Sequence, residues 1–233
     1  MVTLDRISFG YGKQPLFKNL SFSLKAGHIY GLLGQNGEGK TTLLKMITGL
    51  VFAQSGSCQV LGYEPRSRKS SFLSQLFLLP DETHTPNVSA LQYANINSPF
   101  YPLFDQRQFE NHLTAFEVPL NQKLEKISFG QRKKVLIAFA LATNTPLLLM
   151  DEPTNGLDIP SKSVFRKLIA GAMTNDRCIV ISTHQVRDLD SLIDEIVVLK
   201  NGQIAYQQNL NALTENTDKQ PDIEQIFNQL IAH

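Results

Sequence analysis

The sequence predicts an α/β fold: a mostly parallel core sheet with an antiparallel β subdomain and an inserted α-helical subdomain. Three observations predict it. An apolar run, residues 29–33, leads into Gly34-Gln35-Asn36-Gly37-Glu38-Gly39-Lys40-Thr41, which fits the phosphate-loop pattern G-x-x-x-x-G-K-[ST] and is followed by apolar residues at helical spacing. Two later runs, Leu147-Leu148-Leu149-Met150 and Cys178-Ile179-Val180-Ile181, are apolar at every position, the mark of strands buried on both faces. From residue 88 to 118 the composition turns to Asn, Gln, Phe and Tyr with helix-like spacing, as an inserted lobe would.

Composition sets broad bounds. A chain of 233 residues buries a full core as one domain. A net charge of +1, with Lys and Arg spread along the chain, argues against a dominant nucleic-acid footprint, so no nucleic-acid partner is expected. Cys58 and Cys178 both fall in apolar runs and read as small buried residues of a reducing compartment. The first residues show no basic segment followed by an apolar stretch, and no window approaches the ~20 apolar residues of a membrane span. The expected location is therefore the cytosol, unless a partner holds the chain elsewhere.

In order, residues 2–9, 16–24 and 28–33 read as strands separated by Gly10-Tyr11-Gly12 and Lys25-Ala26-Gly27, an antiparallel-looking prelude to the phosphate loop. Tyr11 beside two glycines suits either stacking on a nucleotide base or a plain turn. Leu43, Leu44, Met46, Ile47 and Leu50 mark the helix after the loop, with Gly49 placed to end it. A short strand is expected at 57–61, a basic polar surface loop at 66–71 and a strand at 76–79 stopped by Pro80. In the lobe, Ser98-Pro99-Phe100-Tyr101-Pro102 breaks the helices and sets two aromatics either in the lobe core or on a docking surface.

A helix is expected from Arg132 to about Thr143, and another from Ile159-Pro160. A short helix to Ile193 follows the strand at 178–181. Asn201-Gly202 between two apolar runs signals a tight hairpin, and a polar linker at 214–221 precedes an amphipathic helix at 222–231. The expected organisation is one domain, with the core in 1–80 and 136–208, the helical lobe in 81–135, and the linker and last helix in 209–233.

The chemistry lies at the strand ends. In a strand, loop, helix context the loop's N–H groups converge on a polyphosphate, helped by the positive end of the helix dipole. Lys40 would reach the β- and γ-phosphates, and the Thr41 hydroxyl would sit on the Mg²⁺ bridging them. Asp151 would orient that Mg²⁺ directly or through water, because a hard divalent cation takes carboxylate and water oxygens. Glu152 is placed as general base for an attacking water. His184, ending the next core strand, would hydrogen-bond the γ-phosphate or that water.

With these residues in view, the sequence resembles the ATP-binding subunits of the ABC transporter family. Ile127-Ser128-Phe129-Gly130-Gln131 is similar to the family's signature, usually LSGGQ, and lies shortly before the strand ending in Asp151-Glu152. Asn155-Gly156-Leu157-Asp158 resembles the D-loop, Ser182-Thr183-His184 the switch-histidine loop, and Tyr11 the adenine-stacking aromatic. The resemblance runs from Met1 to about Tyr206 and implies a phosphate-loop NTPase fold of the ABC ATPase type.

It further implies ATP held by Tyr11, Gln35, Asn36, Gly37, Glu38, Gly39, Lys40, Thr41 and Thr42. Two copies would close head to tail, with Ser128, Gly130 and Gln131 of each serving the other's nucleotide and Asp158 in the D-loop. That homodimer would drive a multi-span membrane permease from the inner face of the cell membrane, and the resemblance of the tail to export-type members points to export. The competing class is a soluble ATPase of the same fold acting on the ribosome or DNA, whose tandem cassettes, coiled-coil insertions or basic arms are not visible here. Two positions depart from the family pattern. Phe129 replaces the signature's first glycine, and Asp81 holds the place of the Q-loop glutamine as a further candidate for the Mg²⁺ shell.

Overall fold

The computed structural model describes residues 1–82, 85–188, 192–210 and 223–231. β1 (Val2–Tyr11), β2 (Gln14–Leu24) and β4 (Ser55–Val60) form an antiparallel sheet in the order β2-β1-β4. β3 (His28–Leu33), β5 (Leu76–Leu79), β6 (Leu147–Asp151), β7 (Cys178–Thr183), β8 (Glu195–Lys200) and β9 (Gln203–Asn209) form a second sheet, ordered β5-β6-β7-β3-β8-β9. All its pairings are parallel except the β8–β9 hairpin, whose turn residues Asn201 and Gly202 have φ of 51° and 72°, the conformation that an Asn-Gly turn favours.

This corrects one expectation. Only β1 and β2 are antiparallel neighbours, whereas β3 crosses into the parallel sheet, because its side chains are buried on both faces. Tyr11 ends β1 rather than breaking it, so the turn is confined to Gly12 and Lys13.

The parallel sheet divides two cores. On one face Tyr30, Leu32, Leu149, Val180 and Val197 pack with the antiparallel sheet and with α1 (Lys40–Ile47). On the other, Ile29, Leu33, Met150, Ile179 and Ile181 join the helices α5 (Phe129–Ala142) and α6 (Ile159–Gly171). The strands alternate sides but find apolar partners on both, so their sequence shows no alternation. α7 (Ile223–Ile231) adds Ile223 and Phe227 to the second core, while the expected linker 214–221 and Asp222 lie outside the described residues.

The lobe contains α3 (Ala90–Asn97) and α4 (Gln106–Ala115), the latter lying on α5. It is fastened by Phe139 of α5, fully buried among Phe77 of β5 and the lobe's Tyr93, Tyr101, Phe104 and Phe109, with ring centroids 5.1 to 6.2 Å away. Offset and edge-on aromatic pairs at this range add to the burial itself. The lobe and the sheet therefore share one core.

Four local expectations change. The basic loop contains a 3₁₀ turn (Pro65–Ser67) and α2 (Ser70–Leu73), and Arg68 donates to Gly49 O at 2.6 Å, so that charge is anchored rather than merely solvated. Of the two aromatics at the lobe's break, Phe100 is 67% exposed, while Tyr101 packs on Phe77 and Phe139. Cys178 is buried but Cys58, on the edge strand β4, is only half-buried. After β7 the chain makes a 3₁₀ turn (Val186–Asp188), and residues 189–191 of the expected short helix lie outside the described residues.

Candidate active site

A cleft of about 430 Å³ opens at the carboxyl ends of the parallel strands, lined by Tyr11, the phosphate loop, Asp81, Asp151 and Glu152. Ligands of open α/β sheets bind at such ends. The loop leaves β3 and turns through Gly37 and Gly39, with φ of 89° and 102°, into α1. A Cβ at Gly39 would stand 2.8 Å from the Phe17 ring, so both conformation and space require glycine. No side chain caps α1, and its first-turn N–H groups are left for a ligand.

Lys40 is 6% exposed, and its Nζ donates to Gly34 O at 2.7 Å and Gln35 O at 3.3 Å, 3.8 Å from Glu152 Oε1. Burial pulls this ammonium below the ordinary lysine range, opposed first by the charge of Glu152 and then by those of Asp151 and Glu38. Thr41 Oγ1 donates to Asp151 Oδ2 at 2.5 Å, and Ser182 Oγ donates to Asp151 Oδ1. Thus the two residues expected on Mg²⁺ meet, and their hard oxygen donors beside a polyphosphate loop fit that ion. No cluster of three His, Cys, Asp or Glu occurs among the described residues. Mg²⁺ at phosphates commonly uses one or two carboxylates, so the donor set still fits.

Glu152 turns out of β6 with φ 44°, a left-handed conformation held by its N–H on Ser182 O at 3.0 Å. Its Oε2 accepts from Thr183 Oγ1 at 3.0 Å, and Oε1 lies 2.8 Å from His184 Nδ1 and accepts from His184 N at 3.1 Å. Glu152 and His184 are therefore brought into direct contact. Neither the bend nor the Thr183 and Ser182 hydroxyls were singled out from sequence, although hydroxyls ending an otherwise apolar strand are a visible signal.

Tyr11, 57% exposed, stands at the mouth with its hydroxyl 3.2 Å from Thr42 Oγ1 and its ring edge-on to Phe9 at 5.0 Å. Gln35, Asn36, Gly37, Gly39, Lys40, Thr41 and Thr42 all line the cleft. The Glu38 side chain is held elsewhere: its Oε2 accepts from Asn201 N in the hairpin turn at 2.6 Å.

Asp81 stands at the rim, where its Oδ1 is 3.5 Å from Lys133 Nζ and 3.3 Å from Asn155 Nδ2. Lys133 is fully buried and also donates to Asp81 O at 2.9 Å. The sequence gives no signal for Lys133, and it shows Asn155 as part of the D-loop-like segment but not its bond to Asp81.

Ser128, Gly130 and Gln131 do not line the cleft. Ser128 caps α5: its Oγ accepts from Gln131 N at 3.2 Å, while Gln131 Oε1 accepts from Ser128 N at 3.1 Å. The helix consequently begins at Phe129, not Arg132. Phe129, 46% exposed, lays its ring against Gly156, and Asp158 caps α6 by accepting from Ser161 N at 3.0 Å.

Comparison with known proteins agrees with this geometry. Residues 17–155 match the family described as ABC transporter. Energy-coupling factor transporter ATP-binding protein EcfA1 of Fusobacterium nucleatum is 29% identical over 239 residues, covering 99% of this chain and 90% of that protein. Nod factor export ATP-binding protein I of Burkholderia orbicola is 28% identical over 219 residues, covering 88% and 70%. Among solved structures, a dimeric ATP-binding cassette in a post-hydrolysis state bound to ADP and Pi superposes with a TM-score of 0.77 at 23% identity, over 90% of this chain and 99% of that one. With the family match joined to a phosphate loop, its paired carboxylates and this sheet order, the chain belongs to the ABC transporter family.

Proposed function

We propose that this ATP-binding ATPase is the motor subunit of a transporter, in which two copies close head to tail on ATP and Mg²⁺ and drive export through a separate multi-span permease at the inner face of the cell membrane. The observation that carries the reading is the division of the site. The cleft gathers Tyr11, the phosphate loop, Asp151 and Glu152, whereas Ser128, Gly130 and Gln131 stand outside it on a capped helix start. The box satisfies the N–H groups of Ser128 and Gln131, leaving those of Phe129 and Gly130 and the positive helix end for another molecule's phosphate. The dimeric cassette of similar fold supports the pairing of two copies.

Within the cleft, Tyr11 would stack on the adenine, and the N–H groups of the loop with Lys40 would hold the β- and γ-phosphates. Lys40 would exchange the carbonyls of Gly34 and Gln35 for phosphate oxygens. Thr41 and Asp151 would hold Mg²⁺, with Asp81 a further candidate, and the ion when bound would offset the phosphates' negative charge. Glu152 would take a proton from water as that water's oxygen bonds the γ-phosphorus and the bond to the β-phosphate oxygen breaks, releasing ADP. His184 would keep the carboxylate oriented through Nδ1 and turn Nε2 toward the γ-phosphate. Asp158, holding the start of α6, would keep the D-loop in place against the second copy.

For the permease, a groove of about 690 Å³ runs between the core and the lobe, lined by Leu50, Leu78, Phe100, Tyr101 and Pro102 among others. Leu50 is 54% and Phe100 67% exposed, which suits an apolar segment of a membrane partner. No helix among the described residues is long and apolar enough to cross a membrane. Purification of the tagged chain from membranes tests the reading: a co-purifying multi-span protein is expected, and ribosomes or DNA in its place would overturn it. The sandwich is tested by turnover against protein concentration, expected to rise more steeply than linearly; strictly linear dependence would rule it out.

A further inference from the structure

The Asp81–Lys133 pair is unlike an ordinary core ion pair, because only the cation is inside. The Lys133 side chain is 0% exposed and that of Asp81 is 41% exposed on the cleft rim. A buried ammonium needs its donors satisfied, and Lys133 meets that need with Asp81 O at 2.9 Å, Pro80 O at 3.5 Å and the Asp81 carboxylate at 3.5 Å. An aspartate here places a negative charge beside the position a polyphosphate takes, next to Asp151 and Glu152 on the same wall. Uncompensated, that charge repels the ligand.

We propose that Lys133 is a positioning residue: the buried counter-charge that lets an aspartate stand at position 81 beside a polyphosphate and that ties the cleft rim to α5. The second tie runs through Asn155, whose Nδ2 donates to Asp81 Oδ1 at 3.3 Å and whose N–H donates to Glu152 O at 3.2 Å. One carboxylate thus joins the rim, the helix whose start carries Ser128, and the turn after Glu152. Lys133 keeps its carbonyl bonds at the end of β5 when the carboxylate shifts, so the tether can yield at its anionic end alone.

The inference rests on the cleft being ATP's, and its test separates the two. Binding of a fluorescent ADP analogue to the monomer in EDTA needs neither Mg²⁺ nor closure. Lys133→Met is expected to weaken it roughly tenfold by unmasking the Asp81 charge. Asp81→Gln in the same chain is expected to restore it, and Lys133→Arg to stay within about threefold of wild type. A purely structural pair would lower the thermal midpoint in Lys133→Met without rescue of affinity by Asp81→Gln. Wild-type affinity in Lys133→Met, or no rescue, overturns the proposal. Should Lys133→Met fail to fold, the Asp81→Gln, Lys133→Met double variant compared with Lys133→Arg decides: equal affinities uphold it, and a tenfold weaker double variant sinks it. No binding by the wild-type chain would sink the nucleotide reading itself.

Discussion

Two glycine-bearing segments each lead into a helix start, and they are built oppositely. At residues 34–41 the helix is uncapped and Gly39 sits at φ 102°, and the donors face a cleft walled by buried Lys40, Asp151 and Glu152. At residues 127–131 the helix is capped twice over, by Ser128 and Gln131, and its start lies outside that cleft. An uncapped start is costly unless a ligand completes it, whereas a capped start is stable as a bare surface. On the proposed reading, the first segment is a site within one chain and the second a surface for another molecule. Substitutions at the two should then separate chemistry and binding in the monomer from closure of the dimer.

The largest expected effect is at Glu152. Glu152→Gln keeps size and can still accept from His184 N–H through its amide oxygen, but its amide nitrogen cannot accept from Thr183 and the side chain cannot take a proton from water, and turnover should fall about 10³-fold, within the range for a lost general base. ATP binding is expected to persist, and the variant should accumulate as an ATP-bound dimer by size-exclusion chromatography. Wild-type turnover would place the base elsewhere. Next comes Lys40→Met, expected to weaken monomer nucleotide binding by one to two orders of magnitude, on the scale of a lost charged hydrogen bond. Its thermal midpoint should change little, because the Glu152 carboxylate keeps Thr183 and His184. An equally large loss at both Lys40 and Ser128 in monomer binding would erase the contrast drawn above. Ser128→Ala instead should leave monomer binding intact, cost about 1 kcal/mol through the lost cap, and weaken ATP-driven dimerisation.

The legible parts of the molecule were those whose chemistry sits in consecutive residues. The phosphate loop, the apolar strands ending in Asp151-Glu152 and Thr183-His184, and the Asn201-Gly202 turn could be read because each needs particular residue types at fixed spacing. What escaped depends on pairing across the chain. β3 reads like its antiparallel neighbours until its partners β7 and β8 are known. Glu38 falls inside a phosphate-binding motif, yet its side chain is claimed by Asn201 in a distant turn. Lys133 sits in a helix whose sequence gives no hint that its ammonium reaches Asp81, and Ser128-Gln131 is a capping box only once the helix is known to start at Phe129.

The smallest expected effect extends the contrast to the lobe, which carries a titrating group remote from the cleft. His112 of α4 is 8% exposed, with Nδ1 3.5 Å from Ala138 O on α5. Burial holds its imidazole below the ordinary 6.5, as does the nearby Arg177 charge, while the Ala138 carbonyl and Asp105 oppose the shift. The folded lobe thus prefers the neutral ring, and below pH 6.5 the unfolded chain takes up the proton first. The contribution of His112 to stability is full above that pH and erodes as pH falls below it, by at most about 1.4 kcal/mol per pH unit. Denaturant midpoints between pH 7.5 and 5.5 should fall in the wild type and flatten in His112→Leu. Because α4 lies on α5, and α5 begins at Ser128, acid should loosen this side before the phosphate loop. Hydrogen exchange at pH 5.5 should accordingly rise in α4 and α5 while α1 stays protected by bound ADP, and equal exchange in all three would show that the two halves open as one unit.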